Sequence, residues 1–243
     1  MRQRPTTHAI AAFAALALLV AILAGCGGGS SSSSSSSAGN GVQDKSPAEI
    51  LTATKAASDA ATSVHVSGSI VSGGSPITLD MNLLAGKGGR GKLSESGLSF
   101  ELIQVGNTVY IKGSPEFYKH IGGSAAAQLL EGKWLKAPAS SADFASLSRL
   151  TDLRQLVDQT LSNHGSLTKV GTSTVAGRKV VGISDKSEGG TLYIAATGQP
   201  YPIQIVKRGS SGGKITFDRW NGTVALAAPA NAIDVAQLQK AGQ

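Results

Sequence analysis

The sequence of 243 residues predicts an α+β fold in which an antiparallel sheet is covered on one face by helices. Three observations support this fold class. A capped helix begins the folded part at Pro47, two long regions show the two-residue alternation of strands, and aliphatic residues between them recur every three or four positions. The predicted order is a helix, a meander of strands, a helical section and a second meander. No linker-like break separates the halves, so we expect a single domain over residues 46–243.

The N-terminus has the features of a lipoprotein leader. Arg2 and Arg4 precede an unbroken apolar run over residues 9–24, which is short for a membrane span but suits the core of a signal peptide. The run ends in Leu-Ala-Gly at positions 23–25, followed by Cys26, and this ending resembles a bacterial lipobox. The resemblance implies cleavage before Cys26 and lipidation of its thiol with diacylglycerol through a thioether, the two acyl chains being of the palmitate type. Two such chains anchor a protein firmly to a membrane.

A flexible tether is predicted to follow the signal peptide of residues 1–25. Residues 26–45 contain the lipidated cysteine, three glycines and an uninterrupted serine run at 30–37. A segment of this composition buries too little apolar surface to fold. We therefore expect a domain that is held at the extracytoplasmic face of the cell membrane by Cys26.

The first helix and the first meander follow from capping and alternation. The sequence Ser-Pro-Ala-Glu at 46–49 is a capping box with proline in the first helical turn. Apolar residues then alternate with polar ones around Val64 and Val66, and again from Ile77 to Leu83. Further strands are predicted at 98–102 and 109–111, with a weak glycine-rich strand between 87 and 94.

The middle of the chain is helical in pattern, and the second meander follows it. A helix-compatible stretch covers 125–131, and a longer amphipathic section runs from Phe144 to Leu161 with a break at Thr151 or Asp152, either of which can cap a new helix. Glycine-punctuated strands are then predicted at 167–170, 175–184, 191–196, 203–207 and 214–220.

Composition and motifs exclude several kinds of chemistry. The single cysteine excludes an internal disulfide and a zinc site built on paired thiolates. His65, His120 and His164 are far apart in sequence and lack the spacing of metal ligands. The glycine-rich stretch 86–92 matches part of a phosphate loop, but Leu93 stands where that loop needs serine or threonine, so a hairpin or basic loop is favoured.

No catalytic constellation is evident in the sequence. Aspartates could join a histidine and a serine in space, but no nucleophile-elbow motif supports a serine hydrolase. We therefore predict a protein that is not an enzyme and that needs no cofactor or metal. The net charge of +7 comes from dispersed basic residues, which favours anionic lipid headgroups over nucleic acid as a partner for a secreted protein.

The motifs taken together resemble those of the actinobacterial LppX/LprG-type lipoproteins. A lipobox and a serine-glycine tether are followed by short segments whose order and spacing are similar to that family over nearly all of residues 46–225. These segments are PAEIL at 47–51, SVHVSG at 63–68, NTVYIKG at 107–113, GKWLK at 132–136, VAGRKV at 175–180 and GQPYP at 198–202.

The resemblance implies a curved antiparallel half-barrel, similar in shape to the periplasmic lipoprotein carriers, whose concave face is covered by helices. It also implies an apolar cavity that receives the acyl chains of a membrane lipid or glycolipid and carries them across the cell envelope, with an envelope exporter as a candidate partner. The predicted cavity residues are Ile77, Leu79, Met81, Leu83, Phe100, Leu102, Leu147, Leu150, Leu153, Leu156 and Val157.

Two alternatives share the same pattern. A surface-tethered sensor or protein-interaction domain would have a filled cavity and an exposed apolar patch. A serine hydrolase would bring a serine, a histidine and a carboxylate within hydrogen-bond distance. Each single cavity candidate is also compatible with ordinary core packing.

Overall fold

The computed structural model describes residues 39–142, 144–162, 164–187 and 189–241, which lie within one compact unit, Ser37–Gln243. The predicted signal peptide, the lipidation site at Cys26 and the predicted tether up to residue 38 lie outside the described residues. The last part of the expected tether is packed onto the domain. Gly39 forms a bridge with Thr197, and Val42 is buried at the start of a 3-10 turn, Val42–Asp44.

The described residues form one open sheet of twelve strands. From one edge to the other, the order is β12-β6-β5-β4-β3-β2-β1-β11-β10-β9-β8-β7. The strands are β1 (Ser63–Ser72), β2 (Ser75–Leu84), β3 (Gly88–Glu95), β4 (Leu98–Val105), β5 (Thr108–Gly113), β6 (Leu135–Pro138), β7 (Leu167–Val175), β8 (Arg178–Asp185), β9 (Gly190–Ala195), β10 (Pro202–Lys207), β11 (Gly213–Asp218) and β12 (Ile233–Asp234).

Two antiparallel meanders meet in the middle of this sheet. Strands β1 to β6 form the first and β7 to β11 the second, and the pairing of β1 with β11 joins them, with Val66 opposite Phe217. The short strand β12 adds to β6 in parallel. Because the curved sheet does not close, the predicted α+β half-barrel is confirmed.

The helices cover one face of the sheet. Helix α4 is amphipathic, and its buried residues Leu153, Val157 and Leu161 pack against strand residues such as Leu83 and Leu102. The helices are α1 (Pro47–Asp59), α2 (Pro115–Leu130), α3 (Ala145–Leu150), α4 (Leu153–Ser162) and α5 (Val235–Ala241). Within the described part of the chain, no helix is both long enough and apolar enough to cross a membrane.

Strand β3 shows how the sheet and the core fit together. Gly89 and Gly91 lie on its helix-covered face, and a Cβ atom at Gly91 would stand 2.1 Å from the backbone oxygen of Asp80. Only glycine therefore permits this close approach to β2. The weak, glycine-rich strand predicted between 87 and 94 is confirmed as a regular strand whose glycines make room for Met81 and Leu83.

Several boundaries differ from the sequence prediction, and β7, for example, runs to Val175 beyond the predicted end at 170. Helix α2 starts at Pro115 rather than at 125, because Ser114 caps it with a hydroxyl that accepts the N–H of Phe117. The helix then bends at Gly123, whose φ of 77° and ψ of −175° are not helical. The strand predicted over 175–184 is wrong at its beginning, because Ala176 and Gly177 both have positive φ and form the β7–β8 turn.

The helical section between Phe144 and Leu161 breaks where it was predicted to break. Helix α3 ends at Leu150, and α4 begins after Asp152, whose carboxylate oxygen Oδ1 accepts the N–H of Gln155 at 3.0 Å. Three short elements are additional to the prediction, namely β6, β12 and α5. They belong together, because β12 pairs with β6 and α5 follows β12 directly.

Candidate functional site

A cavity of about 120 Å³ lies between helices α1 and α4 and the second meander. Its walls are mainly aliphatic, and a few polar groups are gathered among them, which is the usual character of a small-molecule site. The lining residues are Leu51, Thr160, Leu161, His164, Leu167, Ile183, Asp185, Gly190, Thr191, Leu192 and Ile205.

A groove continues from this cavity to the surface at the N-terminus of α1. The groove has a volume of about 460 Å³ and shares Leu51, His164 and Leu167 with the cavity. Its other lining residues come from the first turns of α1 and from Thr52 and Gly165. We call this groove the mouth, because it connects the apolar cavity to solvent.

A capping box positions the helix that forms one side of the mouth. The Ser46 hydroxyl accepts the N–H of Glu49 at 3.4 Å, and the Ser46 N–H donates to the Glu49 carboxylate at 2.9 Å. The hydrogen bond from the Ser46 hydroxyl and the one from its backbone N–H lower the pKa of Glu49. The predicted cap is therefore confirmed, and it holds the first turn of α1 in place beside the cavity.

An ion pair joins the two helices that border the cavity. Lys55 of α1 and Asp158 of α4 approach to 2.5 Å. The hydrogen bond between them raises the pKa of Lys55 and lowers the pKa of Asp158. Both groups are exposed, so the pair orients the helices relative to each other more than it stabilises the fold.

Asp185 is the charged residue among those that line the cavity, and it is only 8% exposed. One carboxylate oxygen accepts the N–H of Gly165 at 2.8 Å and the other accepts the N–H of Ser187 at 2.7 Å. Because Gly165 also lines the mouth, these bonds place the carboxylate where the cavity and the mouth meet.

The cavity residues predicted from the sequence lie elsewhere on the same face of the sheet. Met81, Leu83, Leu102, Leu153 and Val157 are buried members of the central core, and they pack closely against one another. None of the eleven predicted residues is among those that line the 120 Å³ cavity. Of the others, Leu79, Phe100, Leu147 and Leu156 pack against the central core, Ile77 is half-buried and Leu150 is 37% exposed.

The apolar residues that line the cavity, although not predicted to do so, belong to predicted strands and helices. Ile183, Leu192 and Ile205 are the apolar members of alternating strands, and Leu161 ends the apolar face of α4. Alternation identifies the face of a strand, but it does not distinguish a filled position from one beside a cavity.

The three histidines of the folded domain do not come together. His65 lies on the sheet face opposite the helices, with Nδ1 2.6 Å from Asp218 and Nε2 3.1 Å from Asp80. Since both ring nitrogens face carboxylates, His65 has no free nitrogen to activate a serine. Among the residues that the structure describes, no group of three histidine, cysteine or acidic side chains has the geometry of a metal site.

Comparisons with known proteins bear on the fold. No protein-family model and no curated protein matches the sequence. Among solved structures, LprF from Mycobacterium bovis superimposes with a TM-score of 0.51 at 16% identity, over 78% of this chain and 97% of the other. The chain has the LprF fold. The resemblance to LppX/LprG-type lipoproteins is thereby confirmed at the level of the fold.

Two weaker matches accompany this one. The lipoprotein LppX from Mycobacterium tuberculosis matches this chain with a TM-score of 0.47 and 20% identity, over 75% of this chain and 100% of LppX. A LolA superfamily protein from Nitrosomonas europaea matches with a TM-score of 0.24 and 5% identity. The predicted similarity in shape to the periplasmic lipoprotein carriers stays a prediction.

Proposed function

We propose that this protein binds the acyl chains of a membrane lipid or glycolipid and carries the lipid across the cell envelope. The observation that carries the proposal is the aliphatic cavity between the helices and the sheet of an LprF-like fold. Apolar ligands bind where a preformed concave surface removes them from water. The mouth at the N-terminus of α1 supplies the route by which a chain enters.

The size of the cavity limits what it takes up in this conformation. Ligand pockets for small molecules usually have volumes of about 300–1,000 Å³, whereas this cavity measures about 120 Å³. It therefore accepts the end of one acyl chain while α1 and α4 remain in place. Each methylene that enters contributes about 0.8 kcal/mol of favourable free energy. Because the cavity is small, uptake of a longer chain requires the two helices to move away from β8, β9 and β10.

The proposed location follows from the predicted lipobox. Acyl chains on Cys26 would hold the protein at the extracytoplasmic face of the cell membrane, where membrane lipids are within reach. Cargo would then enter the mouth from that membrane or from an exporter.

Mass spectrometry of co-purified lipid tests this function. The protein is produced without residues 1–26 in a host that contains membranes, and organic extracts of the purified protein are analysed. All described elements lie within the compact unit Ser37–Gln243, so the shortened chain keeps the fold. We expect lipid in stoichiometric amount. Repeated absence of lipid, together with no uptake of a fluorescent acyl probe, would contradict the proposal.

A matched pair of variants locates the lipid. Leu51→Trp adds bulk where the cavity meets the mouth, whereas Leu129→Trp adds the same bulk to an exposed position of α2. We expect Leu51→Trp to lose most of the bound lipid and Leu129→Trp to keep it, with unchanged circular dichroism for both. Full lipid content in Leu51→Trp would place the lipid outside this cavity.

One observation favours a second candidate function, namely protein interaction. Ile121 and Leu129 of α2 are 59% and 54% exposed, and they lie on the bent helix that covers one end of the sheet. Exposed apolar residues are what a protein-interaction domain requires. A lipid-free protein whose α2 surface binds a partner, and loses that partner in Ile121→Ser, would support this alternative.

A further inference from the structure

A second groove lies at the end of α1 that is opposite to the mouth. It has a volume of about 560 Å³ and is bounded by the end of α1, the start of α4, the β2–β3 turn and the chain that follows β11. We call it the basic groove, because Lys87 and Arg154 line it. The mouth is at the first turn of α1, and the 13 residues of this helix separate the two openings by about 20 Å.

The charged groups of the basic groove are available to a ligand. Among the described residues that line it, none is acidic. The side chains of Lys87 and Arg154 are exposed, and neither forms an ion pair or a hydrogen bond within the described part of the chain. Asp152 is close to Arg154 in sequence, but its oxygens accept the backbone N–H of Gln155 at 3.0 Å and the side-chain amide of Gln155 at 3.3 Å. Two cationic groups therefore remain for an anion from outside the protein.

Hydrogen bonds fix the floor of the basic groove. The Asn221 side chain accepts the N–H of Thr62 at 2.8 Å and donates to the Tyr201 hydroxyl at 2.8 Å. The Ser63 hydroxyl donates to the backbone oxygen of Gly222 at 2.6 Å, and the Ser63 carbonyl accepts the N–H of Asn221 at 2.9 Å. Because this backbone is already ordered, an anion that binds beside it does not bear the cost of ordering it.

The chain that leads back to the predicted lipidation site joins the domain at this same end. Gly39 forms a bridge with Thr197 in the connection between β9 and β10. The same connection reaches the basic groove, because its Tyr201 accepts the hydrogen bond from Asn221. Cys26 precedes Gly39 in the sequence, so the predicted anchor and the basic groove are connected through the same end of the domain.

We propose that the basic groove docks the domain on a membrane by binding the phosphate of an anionic phospholipid head group. An arginine fork and a lysine ammonium are the usual partners of a phosphate, and Lys87 and Arg154 supply them on the two sides of the groove. A domain docked in this way holds the mouth on the side that faces away from that membrane. The inference goes beyond the proposed function, because it requires no acyl chain in the cavity.

Binding to vesicles tests the proposal. The protein that lacks residues 1–26 is sedimented with vesicles of phosphatidylcholine, or of an equal mixture of phosphatidylcholine and phosphatidylglycerol. We expect binding to the mixed vesicles that weakens as salt is added. The double variant Lys87→Gln/Arg154→Gln should bind about thirtyfold more weakly, which is the usual effect of two basic residues at an anionic surface.

A matched variant controls for overall charge. Lys119→Gln/Arg208→Gln removes the same charge from exposed positions on α2 and on the β10–β11 turn and should bind nearly as tightly as the unmodified protein. Circular dichroism checks that both double variants fold. An equal loss of binding in the two double variants would show attraction by net charge alone and would overturn the proposal.

A fluorescent label reports which end of the domain meets the vesicle. Cys26 is the only cysteine of the sequence, so the shortened chain accepts a single label at an introduced cysteine. Thr223→Cys places the label at the basic groove and Thr52→Cys places it at the mouth, both at exposed positions. We expect a nitroxide on the lipid head group to quench the label at 223 and not the label at 52. Stronger quenching at 52 would overturn the proposal.

The remaining outcomes concern the source of the phosphate. Absence of binding to the mixed vesicles would overturn the proposal. Tight binding of glycerol phosphate in solution, without binding to vesicles, would identify a soluble phosphate ester as the ligand and would also overturn docking. None of these measurements depends on the apolar cavity. Their failure would therefore leave the proposed function to the test of co-purified lipid.

Discussion

Helix α4 spans two regions that differ in how well they are filled. Its first half contributes Leu153 and Val157 to the central core, where they meet Leu83 and Leu102 without access to solvent. Its last turn contributes Leu161, which belongs to the same buried core and also lines the cavity, beside Thr160. One amphipathic pattern thus produces both a packed core and an open space. The difference lies in the facing strands and not in the helix.

The facing strands explain this difference. Opposite the first half of α4, Met81 and Leu83 of β2 fill the space that Gly89 and Gly91 leave open on β3. Near its last turn, Gly190 borders the cavity without a side chain. The Asp185 carboxylate beside it accepts hydrogen bonds from the backbone N–H groups of Gly165 and Ser187. A site can therefore arise where a few small or restrained side chains interrupt an otherwise continuous core.

The largest expected effect comes from truncation in the filled region. Leu83→Ala removes a fully buried side chain of the central core and should lower the free energy of unfolding by about 2–5 kcal/mol. Leu192→Ala removes a partly buried side chain beside an existing cavity and should cost less, because fewer contacts are lost. Urea denaturation of both variants checks the order. Equal costs would mean that the two regions are packed alike.

A smaller effect is expected at the mouth. Ser46→Ala removes the cap of α1 and should lower the free energy of unfolding by about 1 kcal/mol. The loss should appear locally, as faster amide exchange in the first turn of α1, while the central core keeps its protection. Ser210→Ala, the same substitution at an exposed position of the β10–β11 turn, serves as the control. Uniformly faster exchange would contradict the expectation that the first turn of α1 opens independently of the central core.

The smallest effect concerns the ion pair between α1 and α4, and it depends on pH. Asp158 has a pKa below its ordinary value of 3.8 because of Lys55, so the folded state binds its proton less readily than the unfolded state. The stability that the pair contributes is present above the unfolded pKa and is lost as the pH falls through the folded pKa. Asp158→Asn should therefore differ from the unmodified protein at neutral pH and converge with it in acid, as measured by thermal unfolding. A difference that persists at low pH would show that another contact of Asp158 is responsible.

The sequence predicted the fold through features that act locally. Capping at Ser46, the alternation of the strands and the break beside Asp152 all depend on residues close to one another in the chain, and all are confirmed. The start of α2 was missed although Ser114 and Pro115 repeat the signal found at Ser46 and Pro47, because no apolar periodicity follows them across the bend at Gly123.

The candidate site could not be found in the same way. Leu51, Leu161, Ile183 and Ile205 come from four separate elements, and the space between them exists only after those elements pack. The residues predicted for the cavity are apolar residues of the strands and of the helices that face them, and several of them pack in the central core. Apolar patterning predicts which face of a helix or strand is buried. A cavity depends instead on whether the side chains from several elements fill the space between them.

The segment that leads into α1 has a mechanical consequence. Asn40 donates to the backbone oxygens of Ala195 and Gly198, and Lys169 donates to those of Gln43 and Lys45. A pull on the chain before Gly39 is therefore borne first by the ends of β7 and β9. Force applied there therefore reaches β7 and β9 before it reaches the capped turn at the mouth.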